Sequence, residues 1–169
     1  LKEFRHPALQ KERQRVLGLL AEGGLKDHRF EIFRSLMRMR QLCLHPVLAD
    51  PRYAETPSTK LEVFQEQIET IIAEGHRILV FSQFTGFLAH VRTLLETQGI
   101  AYAYLDGKTR NRKKEISRFQ KEKDVPIFVM SLKSGGLGLN LTAADYCIVL
   151  DPWWNPAVED QAVDRAHRI

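Results

Sequence analysis

Apolar residues from position 59 onward recur with two different periods. Four short runs are almost wholly apolar, which is typical of strands buried on both faces of a sheet. These runs are 78–81, 101–105, 127–130 and 146–150. Between them, apolar residues return every three or four positions, which predicts helices over 59–74, 84–98 and 109–121 and a last helix from Asn155. Strands that alternate with helices predict an α/β fold, a doubly wound parallel sheet with helices on both faces.

The first 45 residues show only the helical pattern. Residues 1–22 and 27–44 predict two helices separated by Gly23 and Gly24. The second carries an apolar stripe made of Ile32, Leu36, Met39 and Cys43. His45-Pro46 ends this pattern, and the prolines of residues 46–58 predict a linker. The predicted organisation is therefore a helical prefix over 1–45, a linker over 46–58 and an α/β lobe over 59–169.

The composition is that of a globular protein. Of the 169 residues, 44% are hydrophobic and 27% are charged. Every apolar run is far shorter than the about 20 residues that a bilayer requires, so we expect no membrane partner. The chain begins with Leu1, so we expect it to be a segment of a longer protein.

The two cysteines, Cys43 and Cys147, lie far apart within apolar sequence. We expect both to be reduced thiols of the core, with no metal site. Reduced thiols predict an intracellular location, either the cytoplasm or nucleoid of a bacterium or archaeon or the nucleus of a eukaryote.

The net charge of +4 is unevenly distributed. Residues 1–60 hold 12 basic and 7 acidic residues, and residues 106–124 hold 8 and 4. In the second zone, Arg110, Lys114, Arg118 and Lys121 recur with helical spacing. Such a row is either a solvated helix face or a track for a nucleic-acid backbone.

Two glycine-bearing loops at strand ends are candidates for phosphate binding. Gly107-Lys108-Thr109 resembles the end of a P-loop, but Tyr102 stands where the earlier glycine belongs. We therefore interpret this segment as a tight turn in which Thr109 caps the following helix, as Thr59 and Glu62 cap the helix over 59–74. The second loop has Gly136 and Gly138 but lacks the third glycine of a dinucleotide site. It still offers donors to an anion or a nucleic acid, namely Ser131, Lys133, Ser134 and Asn140. A plain flexible loop is the alternative.

The last segment holds the most distinctive constellation. Gln161, Arg165 and Arg168 share one face of the predicted helix. Two arginines suit a phosphoryl group, because each presents a planar fork of fixed charge. A surface salt-bridge network is the alternative. Before this helix, Trp153 and Trp154 follow a predicted strand, where one is expected to pack and the other to stack against a ligand.

Together these segments resemble the C-terminal RecA-like lobe of the Swi/Snf-type ATPases, the DNA-translocating branch of the superfamily-two helicases. Residues 42–46 (Leu-Cys-Leu-His-Pro) resemble the segment that precedes this lobe, and 78–84 (Ile-Leu-Val-Phe-Ser-Gln-Phe) resemble motif IV. The other matching segments are 105–109 at the second strand, 131–141 with 151–156 for motif V and the tryptophan-bearing stretch, and 161–169 for motif VI. In the family, motif VI continues into Gly-Gln, beyond Ile169. The resemblance implies one motor lobe of an ATP-driven double-stranded DNA translocase that remodels chromatin or another protein–DNA complex.

The resemblance also implies roles for single residues. Arg168 matches the arginine finger, supported by Arg165 and Gln161, while Gly136, Gly138 and Asn140 couple the DNA to the nucleotide. The positions that match DNA contacts are Ser82, Gln83, Lys108, Arg110, Lys114, Arg118, Ser131, Lys133, Ser134 and Trp154. ATP and Mg²⁺ are held mainly by the N-terminal RecA-like lobe, which is the expected partner together with double-stranded DNA. The segment alone is expected to be a monomer without ATPase activity.

Two other functions are open to such a fold. One is a lobe that binds DNA or a protein without serving an ATPase, although such a lobe has no need of the motif VI residues in register. The other is a Rossmann-like small-molecule enzyme, which requires a glycine fingerprint in the first turn after a strand. That turn is Ser82-Gln83-Phe84, so the sequence disfavours this enzyme class.

Overall fold

The computed structural model describes residues 7–135 and 141–152. The chain divides into two compact units, Leu1–Lys60 and Leu61–Ile169. The helices are α1 (Pro7–Glu22), α2 (Gly24–Leu44), α3 (Thr59–Ala73), α4 (Thr85–Thr97), α5 (Arg112–Lys121) and the single turn α6 (Leu132–Gly135). The strands are β1 (Ile78–Ser82), β2 (Tyr102–Leu105), β3 (Ile127–Ser131) and β4 (Tyr146–Val149).

The first unit is built on a helical hairpin. Only Gly23 separates α1 from α2, and the two helices pack against each other. Gly24 has φ +70, a backbone conformation that favours glycine. After α2, the predicted linker contains two short 3-10 helices, Pro46–Leu48 and Pro51–Tyr53.

The apolar stripe of α2 differs from the prediction at its end. Ile32 and Leu42 are buried, whereas Cys43 is exposed. Cys43 is therefore not a core thiol, and the prediction is wrong at this position. At this end of α2 the buried residues are Leu42 and Leu44, on either side of Cys43.

Within residues 61–135 and 141–152, the second unit holds a four-stranded, wholly parallel sheet with the order β2-β3-β1-β4. The predicted α/β class with a RecA-like parallel sheet is confirmed. Both central strands, β1 and β3, are buried along their whole length. β2 and β4 form the edges and are only partly buried. Since all four strands run in one direction, their carboxyl ends lie at the same edge of the sheet.

Helices cover both faces of this sheet. Leu79, Phe81 and Met130 pack with Phe119 of α5 on one face. The neighbouring residues along β1, Ile78 and Val80, are also fully buried and point to the other face, because side chains alternate along a strand. α4 packs against β1 and β3 and buries an apolar stripe made of Phe87, Leu88, Val91 and Leu95.

Two predicted helix caps are wrong. α3 already includes Thr59, so Ser58 precedes the helix, and its hydroxyl donates to the Leu44 carbonyl at 2.5 Å. α5 begins at Arg112, because the side chain of Asn111 accepts the hydrogen bond from Lys114 N at 3.1 Å. Thr109 bonds to Asp106 instead. The Thr109 hydroxyl is engaged with Asp106, and Asn111 provides the cap.

The amino edge of the sheet is fixed by Arg77. Its guanidinium donates to the carbonyls of Phe119, Glu122 and Val125, the last at 2.9 Å, and lies 4.2 Å from the centre of the Phe119 ring. These carbonyls end α5 and lead into β3, so one side chain ties the helix end to the sheet. No helix within the described ranges is both long and apolar enough to cross a bilayer.

Candidate functional site

Four loops meet at the carboxyl edge of the sheet. They follow Ser82, Leu105, Ser131 and Val149. Ser82 and Ser131 are register partners on the two central strands, so the loops that carry the motif IV and motif V resemblances start side by side. Ligands of open α/β sheets bind at this edge.

A buried carboxylate joins two of these loops. Asp151 is 2% exposed, and its Oδ1 accepts a hydrogen bond from the Ser82 hydroxyl. Gln83 N lies 3.3 Å from both oxygens of the same carboxylate. The Ser82 oxygen in turn accepts from Phe84 N at 3.1 Å. Asp151 therefore fixes the turn after β1 against the segment after β4.

Ser82 and Ser131 were predicted to contact DNA, and both are buried. The Ser82 hydroxyl donates to Asp151 inside the fold. Sequence reasoning missed Asp151 as a site residue. The only signal was an aspartate directly after an apolar run, a place where a buried charge requires partners.

Gln83 presents a donor at this edge. Its backbone N–H is held by Asp151, and its side-chain amide is buried. Among the described residues, the side-chain Nε2 has no hydrogen-bond partner. A buried donor without a partner is costly, which marks this amide as a group that a ligand can satisfy.

The turn after β2 is organised by Asp106. One of its carboxylate oxygens accepts from Lys108 N at 2.8 Å and from the Thr109 hydroxyl at 3.0 Å, and the other accepts from the Tyr104 hydroxyl at 3.1 Å. Burial acts to raise the pKa of Asp106, but these hydrogen bonds outweigh it and hold the pKa below its usual value. Burial raises the pKa of Tyr104 to about 12, so its hydroxyl remains a donor.

Gly107-Lys108-Thr109 forms a tight turn, closed by a hydrogen bond from Thr109 N to the Asp106 carbonyl at 3.3 Å. A Cβ placed on Gly107 meets no atom within 4 Å. Glycine is therefore not required here to make room for another part of the protein, and an Asx-type turn accounts for the local hydrogen bonds.

Exposed cations surround this turn. Lys108 and Arg110 are exposed in the loop after β2, Lys114 is exposed in the first turn of α5, and Lys133 is exposed on α6 after β3. β2 and β3 are neighbours in the sheet, so these residues all belong to the carboxyl edge.

Arg118 does not belong to this group of exposed cations. The predicted helical row does not exist as such, because Arg110 precedes α5. Arg118 Nη1 donates to the Tyr102 carbonyl at 3.1 Å, and its Nε lies 3.4 Å from Glu122 Oε2. Beside it, Glu115 Oε2 accepts from Tyr104 N at 3.1 Å. Arg118 and Glu115 thus bond to the outer backbone groups of the edge strand β2, which protects this edge from pairing with another strand.

The remaining predicted site residues lie outside the described residues. They are Gly136, Gly138, Asn140, Trp154, Gln161, Arg165 and Arg168. Ser134 belongs to the helical turn α6. No group of three or more His, Cys, Asp or Glu side chains suited to a metal ion occurs in residues 7–135 and 141–152.

Comparison with known proteins identifies the family. The helicase conserved C-terminal domain matches residues 59–169. Helicase swr1 of Schizosaccharomyces pombe is 36% identical over 148 residues, which are 85% of this chain and 12% of that protein. The putative ATP-dependent helicase/translocase YwqA of Bacillus subtilis is 39% identical over 145 residues, 82% of this chain and 16% of that protein. The chain thus spans less than a fifth of the length of these relatives.

Solved structures agree with the sequence relatives. The C-terminal part of the Fun30 ATPase domain superposes with a TM-score of 0.79 at 26% identity, covering 100% of this chain and 78% of that one. The Sulfolobus solfataricus SWI2/SNF2 ATPase core in complex with double-stranded DNA has a TM-score of 0.72 at 29% identity, covering 97% of this chain and 36% of that one. The resemblance stated from the motifs is confirmed, and the chain belongs to the helicase C-terminal domain family, as the C-terminal RecA-like lobe of a Swi/Snf-type ATPase.

Proposed function

We propose that this chain is the C-terminal motor lobe of an ATP-dependent double-stranded DNA translocase or remodeller, and that its carboxyl edge grips the DNA backbone. The observation that carries this proposal is the cluster of exposed cations after two adjacent strands, Lys108, Arg110, Lys114 and Lys133. The solved Sulfolobus core that this chain resembles is a complex with double-stranded DNA, which supports the same partner.

The charges of this edge are arranged to favour a polyanion. The described edge loops contain two carboxylates, Asp106 and Asp151, and both are engaged in hydrogen bonds within the fold. Glu115, in the first turn of α5, accepts from the backbone of β2. These carboxylates keep their charge but accept hydrogen bonds from neutral donors of the fold, whereas the positive charges of the edge are exposed to solvent. Phosphate contacts of this kind position a protein on DNA without reading its sequence.

The turn after β1 offers a second kind of contact. Gln83 is held by Asp151 through its backbone, and its side-chain Nε2 is buried without a hydrogen-bond partner among the described residues. A neutral donor next to a row of cations suits a phosphate oxygen, because it adds direction to the charge. We therefore propose Gln83 as a DNA contact and Ser82 with Asp151 as the residues that position it.

A salt titration of duplex binding tests the grip. Lys108→Ala with Arg110→Ala is expected to weaken binding and to flatten the slope of log K against log salt by up to about 1.8, at about 0.9 per lost phosphate contact. The matched control is Lys121→Ala with Lys123→Ala, which removes two exposed charges at the opposite end of α5. Equal slopes for the two double variants would mean that the carboxyl edge does not hold the DNA.

We propose further that Arg168, supported by Arg165 and Gln161, acts as the arginine finger of the intact protein, and that Gly136, Gly138 and Asn140 couple the DNA to the nucleotide. ATP, bound with Mg²⁺, supplies the phosphoryl group that is transferred to water. Both are held mainly by the other lobe. A guanidinium in fixed position stabilises the charge that develops on the phosphoryl oxygens.

Arg168→Ala in the intact two-lobe protein tests this role. It is expected to lower DNA-stimulated ATP turnover by about 10³–10⁵ while the melting temperature changes little. Arg168→Lys is expected to rescue poorly, because an ammonium lacks the planar fork. Turnover within about threefold of the parent would favour the alternative function, a lobe that binds DNA or protein without serving an ATPase.

A further inference from the structure

The helical hairpin exposes an unusual number of large apolar side chains. Leu17 and Leu20 on α1 are 56% and 40% exposed, and Leu25, Phe30 and Phe33 on α2 are 65%, 75% and 53% exposed. All five lie within 17 residues of sequence around the turn at Gly23. A concentration of this kind marks an interaction surface more often than a scattered apolar residue does.

Helical geometry shows which of these residues share a side of the hairpin. The inner stripe of α1 consists of buried Glu12 with half-buried Val16 and Leu19. Each residue of an α-helix is rotated about 100° around the helix axis from the one before it. Counted in that direction of rotation, Arg13, Leu17 and Leu20 lie about 70–135° around α1 from that stripe.

α2 repeats the arrangement after its kink at His28. Its buried residues are Ile32, Ser35, Leu42 and, at the last position of the helix, Leu44, and the first three of them form a stripe along α2. Arg29 and Phe33 lie about 105–150° from this stripe in the same winding sense. Because the helices of a hairpin run antiparallel, rotation in the same sense leads to the same side. We name Arg13, Leu17, Leu20, Arg29 and Phe33 the basic–apolar face.

Charge on the hairpin is segregated with respect to this face. The acidic residues of α1, and of α2 beyond its kink, are Glu12, Glu22 and Glu31. Glu12 belongs to the buried stripe, and Glu22 and Glu31 lie about 50–90° from the stripes in the opposite sense. Arg13 and Arg29 are exposed. The basic–apolar face therefore combines leucine and phenylalanine with positive charge alone.

We propose that the basic–apolar face is a docking surface for an acidic amphipathic helix of a partner protein. Leucine or phenylalanine at a spacing of three and four residues on such a helix would cover Leu17, Leu20 and Phe33. Its flanking glutamates or aspartates would meet Arg13 and Arg29, and like-charged partners would be rejected. Nucleic acid matches this face less well, because a phosphate backbone has no use for the exposed leucines.

Fluorescence anisotropy with a designed peptide tests the proposal on the 169-residue chain. The probe is a labelled peptide of about 18 residues with leucine at helical spacing and glutamate elsewhere, and its control has lysine in place of glutamate. We expect the acidic peptide to bind in the micromolar range and the basic peptide to bind at least about tenfold more weakly.

Charge reversal on the two sides of the hairpin supplies the matched comparison. Arg13→Glu with Arg29→Glu is expected to weaken acidic-peptide binding at least about tenfold, whereas Arg15→Glu with Arg34→Glu, which changes the opposite side, is expected to stay within about twofold. Leu17→Ser with Phe33→Ser is expected to abolish binding, with circular dichroism as the check that the helices persist.

Several outcomes would overturn the proposal. They are equal binding of the two peptides, equal losses in the two charge-reversed variants, or no binding of the acidic peptide at about 1 mM. Binding to vesicles with anionic lipids, or to a DNA duplex, that depends on Arg13 and Arg29 while the acidic peptide fails would assign the face to that partner instead. Self-association that Leu17→Ser with Phe33→Ser removes, measured by sedimentation, would assign it to a second copy of this chain. None of these outcomes depends on the DNA grip of the second unit.

Discussion

Removing the Asp151 carboxylate is the change that tests the organisation of the carboxyl edge most directly. In Asp151→Ala, the Ser82 hydroxyl and Gln83 N–H lose their acceptor, and Ser82 is 0% exposed. A buried donor left without a partner costs about 1–3 kcal/mol. Because the Gln83 N–H is only part-buried, the two donors together give an expected loss of about 2–4 kcal/mol, a large part of the stability of an ordinary domain.

Urea unfolding followed by tryptophan fluorescence measures this loss. The two tryptophans of the chain, Trp153 and Trp154, follow Asp151 closely in sequence and belong to the second unit. With a slope of about 2 kcal/mol per molar urea, the midpoint is expected to fall by about 1–2 M. Asp124→Ala, which removes an exposed carboxylate from the same unit, is the control and should shift the free energy of unfolding by no more than about 0.5 kcal/mol.

Ser82→Ala removes the hydroxyl and its hydrogen bonds but leaves a side chain of nearly the same size. Alone it should cost about 1 kcal/mol, because Asp151 still accepts from Gln83 N while Phe84 N loses an acceptor. In the double variant with Asp151→Ala, the losses should be smaller than their sum, since the hydroxyl that would be left without a partner is already gone. Strict additivity, or an Asp151→Ala variant as stable as Asp124→Ala, would refute the argument.

Two further predictions concern ionisable side chains. Asp145 accepts from Arg77 N at 2.8 Å and lies 2.5 Å from His76 Nδ1; burial acts to raise its pKa, but these bonds outweigh it and hold the pKa below 3.8. An aspartate with a lowered pKa stabilises the fold at pH values above its pKa in the unfolded chain. Asp145→Asn should therefore have a lower free energy of unfolding than the parent near pH 5–6, and the difference should close as the pH falls below 3.8. A difference that persists at lower pH would contradict this prediction. Burial raises the pKa of the Cys147 thiol to about 11 while Cys43 is exposed, so iodoacetamide at pH 8 should modify Cys43 first, and equal rates by mass spectrometry would contradict the assigned burial.

The sheet was predictable because its signal is local. Runs of four or five apolar residues are enough to predict β1 and β3, the strands buried on both faces. The apolar pattern predicted both strands one residue too short, because Ser82 and Ser131 are polar yet buried as register partners. Their burial depends on the neighbouring strand, which periodicity along one segment does not include.

The roles of the cations at the candidate site were less predictable. Lys114 and Arg118 have the same charge and the same helical spacing, yet one is exposed and the other bonds to the Tyr102 carbonyl. The difference arises because the side chain at position 118 faces the edge of β2. A helical wheel gives the angle of a residue around the helix but not which part of the protein that residue faces. Spacing alone therefore placed Lys114 and Arg118 in one group, although their surroundings in the fold differ.

Asp151 shows the same limit for negative charge, and it bears on the proposal that the carboxyl edge binds a polyanion. Its partners Ser82 and Gln83 lie 69 and 68 positions earlier in the chain, so no sequence window contains the group. A count of charges along 125–169 is slightly acidic, which by itself argues against a polyanionic ligand. The fold alters this conclusion, because Asp151 of this segment is buried and turned to donors within the protein, whereas Lys133 of the same segment is exposed at the carboxyl edge. The electrostatic character of this edge therefore follows from which charges the fold engages internally, and net charge per segment does not report it.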